Sequence, residues 1–227
     1  MSTATQRVSE PEVTFTEHFA QTDGSRIRYL EAGQRNSVVV LHGGNGLTTS
    51  PLATLLARHF RVLVFEIPNF DHSSLRKVAQ TLTQAATATG VDHYVLVSMS
   101  TRASLALWQA IESPEHIDGL VLISPVALLP QGRTDTSSPN SDIELEVRLA
   151  DLQTPTLVLL GTNDKSLPPD MGQRYVERIP NCYYLLVYDA GHAIEAERPE
   201  ALFSAVRDFV ERRGAFIVER NNTAINP

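Results

Sequence analysis

Along the chain, short runs of consecutive hydrophobic residues take turns with longer stretches in which hydrophobic residues recur every three or four positions. Six short runs are almost continuously apolar, which is typical of strands buried on both faces of a parallel sheet. These runs occupy residues 38–41, 62–65, 94–97, 120–123, 156–160 and 183–187. The helix-period stretches between them cover residues 51–59, 75–89, 101–112, 169–179 and 199–212. Strands that alternate with helices in this way predict right-handed βαβ units and a mostly parallel sheet.

Two further segments near the N-terminus alternate between apolar and polar residues. Residues 13–19 and 26–31 have this pattern, and Asp23-Gly24 between them is a turn signal. Alternation is typical of half-buried strands, so the two segments predict an antiparallel pair. Together with the six apolar runs, they predict a mostly parallel eight-stranded sheet with helices on both faces.

The length of 227 residues allows one large domain or two small ones. Residues 12–213 carry the strand and helix pattern and are expected to form a single core domain. Residues 1–11 are rich in Ser, Thr and Glu and are expected to be flexible. Residues 126–154 interrupt the pattern with a polar loop and a short helical stretch at 143–149. The sequence does not indicate a role for the C-terminal tail, residues 214–227.

Composition argues against several classes of protein. The formal net charge of −7 disfavours nucleic acid as a partner, and no apolar run approaches the ~20 residues of a membrane span. The first ten residues lack the apolar core of a secretory signal, which favours a cytoplasmic location. One cysteine, Cys182, and seven histidines show no metal-ligand spacing, and no phosphate-binding glycine motif is present. We therefore expect neither a metal nor a cofactor.

Three chemically reactive side chains follow predicted strands. Ser100 comes after the third apolar run, Asp164 after the fifth and His192 after the sixth. Because the carboxyl ends of parallel strands meet at one edge of a sheet, we expect the three side chains to lie together. A serine hydroxyl is a poor nucleophile until a neighbouring base takes its proton, and a neutral imidazole suits that step. The three residues thus supply a nucleophile, an orienting acid and a base.

Five stretches of the chain, taken in order, resemble the α/β-hydrolase superfamily. They are HGG at 42–44, DHYVLVSMS at 92–100, PEHIDGLVLISP at 114–125, TPTLVLLGTNDKSLPP at 154–169 and AGHAIEAERPE at 190–200. The resemblance extends over nearly the whole chain, from Val13 to Arg213. The order serine, acid, histidine is also the order found in that superfamily.

The resemblance implies a role for each residue. Ser100 would attack the substrate, His192 would take its proton, and Asp164 would hold the imidazole in the required tautomer. The backbone N–H groups of Gly44 and Thr101 would bind the oxyanion of the tetrahedral intermediate.

Structural roles are the alternatives for the same side chains. Ser100 would then be a helix N-cap, Asp164 a turn residue and His192 a residue of a surface turn. Ser98 is the competing nucleophile, although it falls within the predicted strand.

Three charged residues beside these motifs also need an interpretation. Arg102 stands where the superfamily has a glycine in the nucleophile elbow, so its side chain must turn aside or reshape the turn. Glu195 and Glu197 precede Pro199, and we expect them to support the start of the last helix through its dipole.

Relatives in this superfamily usually carry a helical lid where this chain has only residues 126–154. A reduced lid predicts an open, shallow site unless a second subunit of a homo-oligomer covers it. The pocket is expected to be lined by Asn45, Leu47, Phe70, Met99, Val126, Leu128, Leu129, Leu167 and Ala193. Most of these side chains are apolar, which favours a small apolar substrate.

The sequence therefore predicts a serine hydrolase that acts, without a cofactor, on a small, largely apolar ester or related carbonyl compound. Cleavage of a C–C bond is included in that prediction. The scaffold hosts many reactions, so lyase, peroxidase and cyclase chemistry are alternatives. A binding or receptor-like protein with weak hydrolase activity is the alternative from another class, and Arg102 and the short lid motivate it.

Overall fold

Eight strands form one sheet in a computed structural model that describes residues 13–41, 46–67, 75–129, 139–168, 170–213 and 215. The strands are β1 (Thr16–Thr22), β2 (Ser25–Ala32), β3 (Ser37–Leu41), β4 (Arg61–Phe65), β5 (Tyr94–Met99), β6 (Ile117–Ile123), β7 (Thr156–Gly161) and β8 (Cys182–Val187). Their order in the sheet is β1-β2-β4-β3-β5-β6-β7-β8. The pairs β1–β2 and β2–β4 are antiparallel, and the other neighbours are parallel. The predicted mostly parallel eight-stranded sheet is confirmed.

Helices cover both faces of the sheet, as predicted. They are α1 (Pro51–Ala57), α2 (Leu75–Ala88), α3 (Ala103–Glu112), α4 (Pro139–Arg148), α5 (Met171–Arg178), α6 (Ile194–Glu197) and α7 (Pro199–Arg212). Helices α2, α3, α4 and α5 share one buried cluster with the sheet, and α1, α6 and α7 share the other. Among the described residues, no helix is both long enough and apolar enough to cross a membrane.

The two core clusters follow from the alternation of side chains along each strand. In β5, Tyr94 and Leu96 belong to the cluster under α2 and α3, whereas Val95 and Val97 belong to the cluster under α1 and α7. All four side chains are fully buried. A strand that is covered on both faces must be apolar at every position, which explains the continuous runs in the sequence.

Some element boundaries differ from the predictions. Strand β1 covers Thr16–Thr22 rather than residues 13–19. It continues to the turn at Gly24, whose φ is 90°, because Thr22 still pairs with Ser25, and its first paired residue is Thr16, opposite Glu31. This pairing sets the register of the whole hairpin. Helix α3 begins at Ala103 rather than at residue 101, because a 3₁₀ turn precedes it. Helix α6 was not predicted at all.

Helix α4 lies within the segment predicted as a reduced lid, and it begins at Pro139 rather than at residue 143. Proline is well tolerated in a first helical turn, where its missing N–H has no intrahelical acceptor. Leu145 is buried in the core, and ion pairs join Glu144 to Arg76 of α2 at 2.8 Å and Glu146 to Arg178 of α5 at 2.6 Å. The helix is thus fastened to two helices of the same layer. Exposed ion pairs of this kind each contribute little, about 0–1 kcal/mol.

Candidate active site

Ser100 lies at the sharp turn between β5 and α3. Its φ is 49°, in the left-handed region that residues with a side chain seldom occupy. A 3₁₀ turn, Ser100–Arg102, follows directly. The carbonyl of Ser100 accepts a hydrogen bond from Val126 N at 3.4 Å, so the loop after β6 is attached to the same turn. The strained turn brings the Ser100 side chain out of the strand at the carboxyl edge of the sheet, whereas Ser98 is fully buried within β5.

Ser100, His192 and Asp164 form a continuous hydrogen-bonded array. The Oγ atom of Ser100 is 2.9 Å from Nε2 of His192, and Nδ1 of His192 is 2.8 Å from Oδ2 of Asp164. The Asp164 side chain is only 3% exposed, while that of His192 is 33% exposed. A neutral imidazole with its proton on Nδ1 donates to the aspartate and accepts from the serine hydroxyl. The arrangement can therefore move the serine proton to Nε2.

The second oxygen of Asp164 fixes the orientation of the carboxylate. Oδ1 accepts hydrogen bonds from the backbone N–H groups of Ser166 at 2.7 Å and of Leu167 at 3.2 Å. These two donors close the turn after β7 and leave Oδ2 for the imidazole. The turn role and the histidine-orienting position, which the sequence left as alternatives, are thus combined in one side chain.

Ser100 does not act as the helix N-cap. The residue at the N-cap position of α3 is Arg102, and its side chain makes no capping hydrogen bond to that helix. The serine hydroxyl is instead bonded to His192, 92 positions further along the chain. The N-cap alternative for Ser100 is wrong.

The loops that carry Asp164 and His192 are bonded to each other. Asn163 N donates to the carbonyl of Ala190 at 2.8 Å, and the Asn163 amide donates to Oδ1 of Asp189 at 3.2 Å. Asp189 N in turn donates to Oγ1 of Thr162 at 3.0 Å. These bonds fix the separation between the loop that carries the acid and the loop that carries the base.

Glu195 and Glu197 both accept hydrogen bonds from backbone N–H groups that lie outside α7. Oε2 of Glu197 accepts from Gly191 N at 2.7 Å, next to His192 in the chain. Oε1 of Glu195 accepts from Leu52 N at 2.7 Å, in the first turn of α1. The hydrogen bonds of both carboxylates thus go to backbone N–H groups outside the last helix, which the sequence did not predict.

A cavity of about 220 Å³ opens beside Ser100 and His192. The other described residues that line it are Met99, Ile123, Ser124, Ala193, Ile194, Glu195 and Ala196. Met99 and Ala193 were predicted from the sequence. Ser124 was not, although it lies directly after β6 at the same sheet edge; its φ of 44° is again left-handed. The cavity is small and mostly apolar.

The other predicted pocket residues are not among the described residues that line this cavity, or lie outside the described part of the chain. Leu167 is buried and lines a second cavity, of about 170 Å³, behind Asp164. Leu128 is buried in the core, Val126 and Leu129 pack against it, and Leu47 is half-buried. Gly44, Asn45 and Phe70 lie outside the described residues.

Arg102 does not prevent the elbow from forming. Its backbone is helical, with φ −81° and ψ −5°, and its side chain is half-buried. Burial lowers the pKa of the guanidinium, because removal from water disfavours the charged form. Thr101, which follows the serine, is exposed at this turn.

The described residues contain neither a metal-binding cluster nor a reactive cysteine. Among them, no group of three or more His, Cys, Asp or Glu side chains could hold a metal ion. Burial raises the pKa of the Cys182 thiol to about 12, so this cysteine is protonated at neutral pH.

Gly161 allows the two loops to approach each other. A Cβ atom at this position would overlap the backbone oxygens of Ala190 and Gly191. We expect Gly161→Ala to lower the free energy of unfolding by about 1–3 kcal/mol, because the obstructing atoms are backbone and cannot rotate away. The matched control is Gly119→Ala, whose Cβ would meet a Phe209 ring carbon at 3.0 Å. Urea denaturation should show the larger loss for Gly161→Ala; equal losses would contradict the packing argument.

Comparisons with known proteins agree with this architecture. Residues 36–148 match the family model described as the α/β hydrolase fold. The rat protein ABHD14A is 29% identical over 194 residues, which cover 80% of this chain and 74% of that protein. A 2-hydroxy-6-oxo-6-(2'-aminophenyl)hexa-2,4-dienoic acid hydrolase from Metapseudomonas resinovorans is 22% identical over 94% of this chain and 97% of its own length.

A solved structure shows the same fold. It is a serine hydrolase involved in carbazole degradation, with a TM-score of 0.73 and 20% identity. The match covers 88% of this chain and all of that one. Sheet order, family model and relatives agree with the resemblance that the sequence motifs indicated, and the chain therefore belongs to the α/β-hydrolase superfamily of enzymes.

Proposed function

We propose that the protein is a serine hydrolase in which Ser100 is the nucleophile, His192 the general base and Asp164 the residue that orients it. The observation that carries this proposal is the array of two hydrogen bonds, 2.9 Å and 2.8 Å long, from Ser100 through His192 to Asp164. These distances lie within the range in which a side chain can act as a general base. The substrate is a small molecule, an ester or related carbonyl compound.

The first half of the reaction forms an acyl-enzyme. Oγ of Ser100 bonds to the carbonyl carbon while its proton passes to Nε2 of His192. The Asp164 carboxylate then faces an imidazolium and stabilises it. The carbonyl oxygen becomes an oxyanion, for which the backbone N–H groups of Thr101 and Gly44 are the proposed donors. The bond to the leaving group breaks, and the leaving group takes the proton from Nε2.

The second half returns the enzyme to its starting state. Water replaces the leaving group and gives a proton to Nε2 of His192, and its oxygen bonds to the acyl carbon. The ester bond to Ser100 then breaks, and the serine oxygen recovers its proton. No atom is needed beyond substrate and water, so the proposed cycle requires no cofactor.

The size of the cavity supports a small substrate. About 220 Å³ lies below the range of about 300–1,000 Å³ usual for pockets that enclose drug-sized ligands. Five of the lining side chains are aliphatic or methionine: Met99, Ile123, Ala193, Ile194 and Ala196. An apolar acyl chain would pack against this wall, with the carbonyl carbon of the same acyl group next to Ser100.

Covalent labelling tests the proposal directly. A fluorophosphonate should label the wild-type protein, and Ser100→Ala should abolish the label, because the probe reacts only with an activated serine. The matched control is Ser98→Ala, since this serine is buried two positions earlier and was the competing nucleophile. Loss of label in Ser98→Ala instead would overturn the assignment. A wild-type protein that binds ligands but takes no label would support the receptor-like alternative.

A further inference from the structure

The cavity beside Ser100 has an uneven distribution of charge. Within the described part of the chain, the residue that brings a full charge to its wall is Glu195. The remaining lining side chains there are apolar, apart from Ser100, Ser124 and the imidazole of His192. A glutamate side chain thus forms part of the wall beside Ser100 and His192.

The position of that carboxylate is fixed. Oε1 of Glu195 accepts a hydrogen bond from Leu52 N at 2.7 Å, and this bond connects α6 to α1. The glutamate follows His192 by three residues and is half-buried. This hydrogen bond restrains the Glu195 side chain at the cavity wall.

Two further carboxylates lie on the loops next to this wall, while the Leu52 N–H in the first turn of α1 offsets part of the charge of Glu195. The Asp164 carboxylate lies behind His192, and that of Glu197 lies on the Gly191 backbone. Of the cations on the same loops, Lys165 is exposed and Arg198 faces Asp189 at 3.7 Å. Neither residue lines the described cavity wall.

Like charges confined in a small cavity repel each other. A group bound within about 220 Å³ stays within a few ångströms of the wall. That separation is shorter than the Debye length of about 8 Å at physiological salt, so the repulsion is only partly screened.

We infer that Glu195 is a specificity-determining residue that makes the site prefer acyl groups with a cationic or neutral end over those with a carboxylate. The inference rests on the proposed function and narrows its substrate class. It also sets the chain apart from the Metapseudomonas resinovorans relative, whose name specifies a dienoic acid substrate.

Matched esters test the inference. Three p-nitrophenyl esters with equal acyl length end in a methyl, an ammonium or a carboxylate group: the hexanoate, the 6-aminohexanoate and the hydrogen adipate. In the wild type, kcat/KM for the ammonium ester should exceed that for the carboxylate ester by about tenfold. Glu195→Gln should reduce this ratio by at least about threefold, because a carboxamide keeps an acceptor for Leu52 N but loses the charge.

A control variant distinguishes the effect of the charge at Glu195 from the effect of the protein's net charge. Glu200→Gln removes the same charge from an exposed position in the first turn of α7 and should leave the ratio unchanged. Equal shifts in both variants, or no shift in Glu195→Gln, would overturn the inference. If Glu195→Gln does not fold, the wild-type ratio should fall as NaCl is raised from low to high concentration, and a constant ratio would overturn it.

The outcomes for this inference and for the proposed function are distinguishable. Hydrolysis of the neutral hexanoate that depends on Ser100, combined with no charge preference, would leave the proposed function intact and remove the role of Glu195. No Ser100-dependent hydrolysis of any of the three esters would instead remove the proposed function.

Discussion

Replacement of Ser100 by alanine should lower kcat/KM for p-nitrophenyl hexanoate by about 10³-fold or more, because no other described hydroxyl is bonded to His192. Residual hydrolysis would come from the imidazole acting on water and from the remaining binding groups, which are still present in such variants. Steady-state kinetics with purified protein measure the ratio. A loss of less than about tenfold, which is roughly 1.4 kcal/mol of transition-state stabilisation, would show that Ser100 is not the nucleophile.

The alanine variant must also be shown to be folded. Ser100 has φ 49°, and alanine is no better suited to that conformation than serine. Ser100→Gly removes the hydroxyl and accepts the left-handed backbone without strain, so it should be at least as stable as the alanine variant and equally inactive. Activity in the glycine variant would mean that strain, and not the lost hydroxyl, explains the alanine result.

Ser98→Ala provides the comparison on the same strand. Ser98 is fully buried, and its Oγ has no hydrogen-bond partner within the described residues. Removing a buried hydroxyl that has no hydrogen-bond partner is close to neutral for stability, because no other polar group is left unpaired. We therefore expect this variant to keep nearly all of its activity, and a large loss would point to a competing role for Ser98.

The fold could be predicted because each buried strand is recognisable from a short apolar run, and the meeting of Ser100 with His192 follows from the order of those strands in the sheet. Val95 and Val97 face one layer and Leu96 the other, so burial on both faces produces a continuous apolar run in the sequence. Once the sheet is parallel, the residues after its strands share one edge. Ser100 and His192 therefore meet although they lie 92 positions apart.

What the sequence could not predict are the partners of polar side chains across long separations. Glu195 bonds to Leu52 N, 143 positions away, and only the packing of α6 against α1 creates that contact. A glutamate close to a helix start has the same sequence signature whether it serves that helix or another. The 3₁₀ turn at Ser100–Arg102 likewise overlaps the segment 101–112, which the sequence predicts as one continuous helix.

The two oxygens of Asp164 have different partners, and this difference determines what its replacement by asparagine would do. Oδ1 accepts from Ser166 N and Leu167 N, while Oδ2 accepts from Nδ1 of His192. In Asp164→Asn, the carbonyl oxygen stays with the two backbone donors, because an amide nitrogen cannot accept from them. The NH₂ group then faces Nδ1, which must become an acceptor. The imidazole proton moves to Nε2, where it prevents acceptance of the Ser100 proton.

Asp164→Asn should therefore lower kcat for p-nitrophenyl hexanoate by about 10⁴-fold while the array keeps its geometry, which is the loss expected for the wrong tautomer. Because this variant leaves the cavity wall unchanged, ligand binding should be retained. Asp170→Asn is the matched control: this aspartate is exposed and forms an ion pair with Arg174 at 2.9 Å, so its activity should stay near that of the wild type. A loss of less than about tenfold in Asp164→Asn would mean that His192 takes its proton without this aspartate and that the proposed role of Asp164 is wrong.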